Sequence, residues 1–262
     1  MEIDASASDN SSQRRRATLP GKGDSQLLRV LFGERPREWS GMSLETVQYM
    51  ERFARLCLEA AELRPDSSDK WHTYAIGAEG LLRSMDELEQ SCYAAKKYAS
   101  QIESTVIDEL SHDERLSYYR HVYFDKNAYI RIFALLDKLG TVLNQLLDLR
   151  TERLKTRYSY FTMLRNLREN RLHPELTKPL NEIKERHQRA MNRLRNRRNL
   201  EIHQMNAELK DDLRQSIANN GERKTLEDLD ANMADLDSGW EMVRESLRIS
   251  FRYAVGHVRK HR

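Results

Sequence analysis

WHTYAIGAEGLLRSMDELEQSCYAAKKYASQIESTV, residues 71–106, decides the fold class. Its apolar positions are Trp71, Tyr74, Ala78, Leu81, Met85, Leu88, Cys92, Ala95, Ala99, Ile102 and Val106. They advance by alternating steps of three and four, the period of a helix that buries one stripe against a neighbour. At 1.5 Å per residue the segment predicts a helix about 55 Å long. Just downstream, Ser111-His112-Asp113-Glu114 has the Ser-x-x-Glu spacing of a capping box, so a new helix starts there.

The same rhythm extends in both directions. After Ser43, a plausible N-cap, Val47, Met50, Ala54, Cys57 and Ala61 form a first helix that Pro65 ends. A third helix, from about Asp125 to Leu154, carries Ile132, Leu135, Leu136, Leu139, Val142, Leu143, Leu146 and Leu147. Gly140 interrupts it, either for close approach of a neighbouring helix or as a surface accident. A short helix follows from about Tyr158 to Asn170. Pro179 suits the first turn of the next long one, with Leu180, Ile183, His187, Ala190, Met191 and Leu194 as its stripe. The last helix runs from about Leu226 to the end, after an Asn219-Asn220-Gly221 turn. No segment alternates like a strand.

These elements predict an all-α protein: an antiparallel bundle of four to five long helices with shorter connecting helices. Composition agrees. With 10 Gly and 5 Pro in 262 residues, the turns of a β-sandwich or a Rossmann domain are not provided for. Residues 1–26 are rich in Ser, Asp, Gly and Arg and read as a disordered tail, leaving 27–262 as the bundle domain, with Leu27 to Phe32 as a short docking piece. No stretch has the length of a membrane span, and nothing resembles a secretory leader. Cys57 and Cys92 fall on apolar stripes, which suits reduced thiols in a cytoplasmic protein and leaves no cysteine metal site.

The net charge of +3 conceals an asymmetry. Residues 44–115 hold 8 Lys+Arg against 15 Asp+Glu, whereas residues 151–203 hold 14 against 6. The second segment is a candidate phosphate-binding surface. Its densest run is Arg193-Leu194-Arg195-Asn196-Arg197-Arg198, leading into Asn199-Leu200-Glu201-Ile202-His203. Four residues beyond Leu194 the stripe calls for an apolar residue, and Arg198 stands there. A charge at such a position needs a partner or an anion. Asn199 and His203 share a helix face. Arg198 and His203 lie about 140° apart on a regular helix, so they converge only if the helix ends between them or if two copies face each other.

Arg198-Asn199-Leu200-Glu201-Ile202-His203 resembles the Arg-x4-His signature of the HEPN domain superfamily, with Asn199 as the polar residue that often follows the Arg. Gln204 stands where many members carry an acidic residue. Two other Arg-x4-His spacings occur, Arg168 to His173 and Arg252 to His257, but Glu169 and Tyr253 follow those arginines. The resemblance implies a helical, commonly homodimeric, metal-independent endoribonuclease acting on RNA, with no cofactor. Such proteins recur in toxin–antitoxin and other bacterial defence systems, with an antitoxin or a nucleotidyltransferase as partner. It implies Arg198, Asn199 and His203 as catalytic residues, and Arg193, Arg195 and Arg197 as substrate-binding ones. A non-catalytic RNA- or nucleotide-binding module and a helical interaction scaffold are the alternatives. His187 reads as a core histidine, His112 as part of the capping box, and Tyr118, Tyr119, Tyr123, Phe124 and Tyr129 as packing aromatics.

Overall fold

Heptad-spaced apolar residues demand a covered stripe on each helix, and the chain meets that demand by packing its helices on one another. The computed structural model describes residues 38–203 and 225–261. The N-terminal tail, the Leu27–Phe32 piece, Gln204 and the Asn219–Gly221 turn lie outside them. From Trp39 on, the described residues form one compact unit. Its helices are α1 (Gly41–Leu63), α2 (Ser68–Ala99), α3 (His112–Leu146), α4 (Tyr160–Glu169), α5 (Pro174–His203) and α6 (Leu229–His261). Five long helices and a short one make up the expected all-α bundle. Among the described residues the only β pairing is an isolated bridge, Val106 to Thr225.

The predicted stripes are the core. Trp71, Tyr74, Ala78, Leu81, Met85, Leu88, Cys92 and Ala95 are all buried on α2, and Leu135, Leu136, Leu139 and Leu143 face them from α3. Burying each large side chain contributes about 1.5–3 kcal/mol. The last helix, α6, packs against α1, α2, α3 and α5. Phe251 of α6 meets Phe53 of α1 edge-on at 5.2 Å.

Several boundaries differ from the periodic reading. The second helix stops at Ala99, not at Val106, so the heptad seam outruns the helix. Glu114 explains the stop: one carboxylate oxygen accepts from the Glu103 and Ser104 amides and from Ser104 Oγ, and the other from Ser111. The capping box at Ser111 is present, and it pins the preceding connection as well. The third helix begins there, at His112, and ends at Leu146 rather than Leu154. Asp148 and Arg150 take φ of 49° and 53° beyond its end. The fourth long helix starts at Pro174, so Pro179 sits inside it rather than in its first turn.

Gly140 marks a close approach. A Cβ there would lie 3.0 Å from the Tyr160 Cα at the start of α4. Nearby, Asp137 Oδ1 accepts a 2.8 Å hydrogen bond from the Tyr160 amide. Further along α4, buried Asn166 donates to the Leu149 carbonyl and to Thr151 Oγ1, both at 3.0 Å. These interactions fix the short helix between α3 and α5. No helix among the described residues is long and apolar enough to cross a membrane.

Candidate functional site

Helix α5 brings its arginines out on different faces, and each face meets a different neighbour. Arg193 forms a two-pronged pair with Asp235 of α6, at 2.6 and 2.8 Å. Arg197 pairs with buried Asp125 of α3 and lies over the Tyr129 ring at 5.0 Å. Arg195 instead sits over Phe161 of α4 at 4.9 Å and Phe133 of α3 at 6.0 Å. Arg198 also lies over Phe133, 4.5 Å from its centroid, and donates 2.9 Å to Asn199 Oδ1. The stripe-breaking charge is therefore held by an aromatic face. Its Nε is buried without a hydrogen-bond partner. Asp137 lies in the same field. Burial raises its pKa, while the Tyr160 amide, Arg198 and Arg195 pull it back.

Helix α5 is continuous from Pro174 through His203. The helix does not end between Arg198 and His203, so within one copy they stay about 140° apart. Arg252 and His257 likewise share one helix, α6. The remaining spacing, Arg168 to His173, straddles a helix break. Helix α4 ends at Glu169. The Leu172 amide donates to the Leu167 carbonyl at 2.9 Å and the Arg171 amide to the Arg168 carbonyl at 3.3 Å. That pattern is a Schellman turn, with Arg171 (φ 52°) where glycine is common. His173 (φ 44°) then opens α5, its carbonyl accepting the Leu176 and Thr177 amides.

At this α4–α5 joint, His173 Nδ1 and the Tyr253 hydroxyl share a 2.7 Å hydrogen bond. The His257 ring lies 6.1 Å from the His173 ring and stacks on Tyr253 at 6.3 Å. Beside them opens a cleft of about 290 Å³ with Arg252, Lys260 and Glu175 on its walls. Burial holds the His173 pKa below its usual 6.5, and burial and Glu175 raise that of the Tyr253 phenol above its usual 10. A non-glycine left-handed residue costs of order 1–3 kcal/mol and gathers at functional sites. Two such residues, Arg171 and His173, flank this joint.

The sequence pattern pointed away from this joint because Glu169, not a polar amide, follows Arg168. The short joint supplies a helix end between Arg168 and His173, one of the two ways in which such a spacing can converge; two copies facing each other is the other. Among the other aromatic and histidine positions, His187 is a buried histidine bonded to Ser238 Oγ at 2.8 Å. Phe124 stacks on Tyr98, whereas Tyr119 and Tyr123 are exposed.

A family model described as Cthe2314-like HEPN matches residues 77–255, about two thirds of the chain, from the first third of α2 nearly to the end of α6. No curated protein and no solved structure matches the chain.

Proposed function

Because the chain belongs to the Cthe2314-like HEPN family, we propose that it is a metal-independent endoribonuclease whose reaction centre is the α4–α5 joint. One observation carries the placement: Arg168 and His173 are separated by a helix break, and His173 is bonded to Tyr253 at the edge of a cationic cleft.

The reaction is an attack of an RNA 2′-hydroxyl on its own 3′-phosphate, which expels the 5′-oxygen and leaves a cyclic phosphate. With Nδ1–H donated to the Tyr253 oxygen, His173 keeps an Nε2 lone pair to take the 2′-hydroxyl proton. Burial favours the neutral form of that imidazole. Arg168, which lines the neighbouring groove rather than the cleft beside His173, is the cation proposed to reach the phosphate oxygens as charge gathers on them. The departing 5′-oxygen needs a proton in return, and His257, whose ring lies 6.1 Å from that of His173, is assigned that role.

A second reading keeps catalysis at Arg198, Asn199 and His203. It is favoured by the position of Arg198 on Phe133 with Asn199 held on its guanidinium. In that reading Arg198 of one copy meets His203 of another, so a homodimer is required. Arg193, Arg195 and Arg197 then follow the RNA backbone. A bundle domain spanning 27–262, and an antitoxin or nucleotidyltransferase partner in a defence system, belong to the same proposal.

The test is cleavage of a mixed RNA pool by purified protein in EDTA. Arg168→Ala and His173→Ala are expected to abolish it, and cyclic-phosphate ends are expected on the products. Loss in Arg198→Ala and His203→Ala, with His173→Ala fully active, would move the centre to the second reading.

A further inference from the structure

The cations of α5 fall into two groups. Those that face α6 and α3 are neutralised: Arg186 by Glu245 at 2.6 Å, Arg193 by Asp235 and Arg197 by Asp125. Those that face α4 are not. Lys184 and Arg195 line a groove between α4 and α5, opposite Arg165 and Arg168 of α4. No Asp or Glu lines that groove, although Asp137 of α3 feels the charge of Arg195.

From the nucleic-acid reading above, on which this rests, we infer that the groove between α4 and α5 binds the sugar–phosphate backbone of single-stranded RNA. Lys184 and Arg195 stand eleven residues apart on α5, a rise of about 16 Å, so the cations are strung along the groove. Helix α5 lines it from Asn181 to Arg195, a rise of about 21 Å, or at most about six stacked nucleotides at ~3.4 Å each. Neutral amides, Asn181 and Asn192 among them, stand between the cations as hydrogen-bonding groups for ribose and base edges.

The width of the groove argues for a single strand. Its apolar lining is closed to bases: Leu164 and Met191 are buried, and Phe161 lies under the Arg195 guanidinium at 4.9 Å. Helices packed as neighbours lie about 8–10 Å apart, too close for a duplex to enter between them. The groove also joins the two candidate centres. Arg168 at one end belongs to the α4–α5 joint, and Arg195 at the other shares Phe133 with Arg198.

The test uses a cleavage-dead background, His173→Ala with His203→Ala, so that binding is read without turnover under either reading. Fluorescence anisotropy follows a labelled 12-nucleotide single strand as salt is varied. Arg165→Glu and Lys184→Glu are each expected to weaken binding about tenfold and to lower the salt slope by about 0.7 for each phosphate no longer neutralised. Arg189→Glu, an exposed change on α5 outside the groove, is expected to leave both unchanged. Arg165→Gln, with no reversed charge, is expected to show a smaller fall at an unchanged melting temperature, which separates a weakened grip on phosphate from unfolding. Equal losses in Arg189→Glu and the groove variants overturn the inference, as does full displacement by poly-glutamate at matched charge. Wild-type protein that binds through the groove but cuts no RNA leaves the groove standing and removes the nuclease reading. Cleavage with unaltered binding in both groove variants does the reverse.

Discussion

The Tyr253 hydroxyl lies 2.7 Å from Nδ1 of His173, and 80 residues of chain separate them. The bond ties the last helix to the joint between α4 and α5, and it fixes which imidazole nitrogen faces away from the protein partner. Removing it with Tyr253→Phe is expected to lower kcat about tenfold or more with little change in KM, because the imidazole loses its orientation and not its neighbours. The acid limb of kcat/KM for wild type is expected below pH 6.5, since burial lowers the His173 pKa and the neutral base persists to lower pH. Glu175, Arg252, His257 and Lys260 also border this cleft, so a profile measured in His257→Ala separates the two histidines.

Arg197 illustrates how a cation in a basic run can be structural. Its Asp125 partner is 5 % exposed, so Arg197→Ala strands a buried carboxylate. The expected loss is about 3–5 kcal/mol of stability, read by urea denaturation. Arg197→Met with Asp125→Leu is expected to recover most of it, because the pair is removed together. If Arg197→Ala instead leaves the denaturation midpoint unchanged and weakens RNA binding, the ion pair is not its role.

Gly140→Ala sets two effects against each other. Alanine favours the helix by about 1 kcal/mol, but its Cβ meets the Tyr160 backbone at 3.0 Å. Backbone cannot rotate aside as a side chain can, so overpacking at about 1–3 kcal/mol outweighs the propensity. The variant is expected to be less stable and to loosen α4, with faster amide exchange at Asn166 than in wild type.

Arg171 occupies a left-handed position that a side chain enters at a cost of about 1–2 kcal/mol. Arg171→Gly is expected to raise the melting temperature by about 2–4 °C. No rise would show that the Arg171 side chain offsets the strain by an interaction of its own.

Glu114 sits in a ring of donors that lowers its pKa from 4.5 to about 2, with the Ser111 amide and hydroxyl as the largest causes. A carboxylate depressed on folding stabilises the fold above its unfolded value and loses that contribution as pH falls through the folded one. Glu114→Gln is therefore expected to melt below wild type at neutral pH. The difference should shrink as pH falls from about 4.5 to about 2. A difference constant across that window would exclude the carboxylate charge as its source.

The bundle was legible because heptad spacing reports burial directly: every position from Trp71 to Ala95 on the seam is buried. Helix ends were less so. The third helix stops at Leu146 rather than near Leu154, and the chain turns there through left-handed Asp148 with no glycine to mark the stop. The end of α4 was legible to within a residue, at Asn170 against Glu169, but nothing in the spacing showed that α5 resumes as early as Pro174. Spacing identified Arg198 as a charge on an apolar stripe, and it does meet an aromatic face there. Spacing could not sort the remaining arginines, because whether a guanidinium meets Asp235, Asp125 or a groove depends on which helices adjoin α5.

The union of α1 with α6 has a consequence for biosynthesis. Phe53 is covered by Phe251, and Glu45 pairs with Arg248 at 3.3 Å. Synthesis reaches the covering helix only after some 170–200 further residues, about 10–40 s at ~5–20 residues per second. Throughout that interval the apolar stripe of α1 lacks its final partner on the ribosome. The nascent chain thus carries that stripe uncovered by α6 until its last helix emerges, and a ribosome stalled before Leu229 holds a bundle that cannot close.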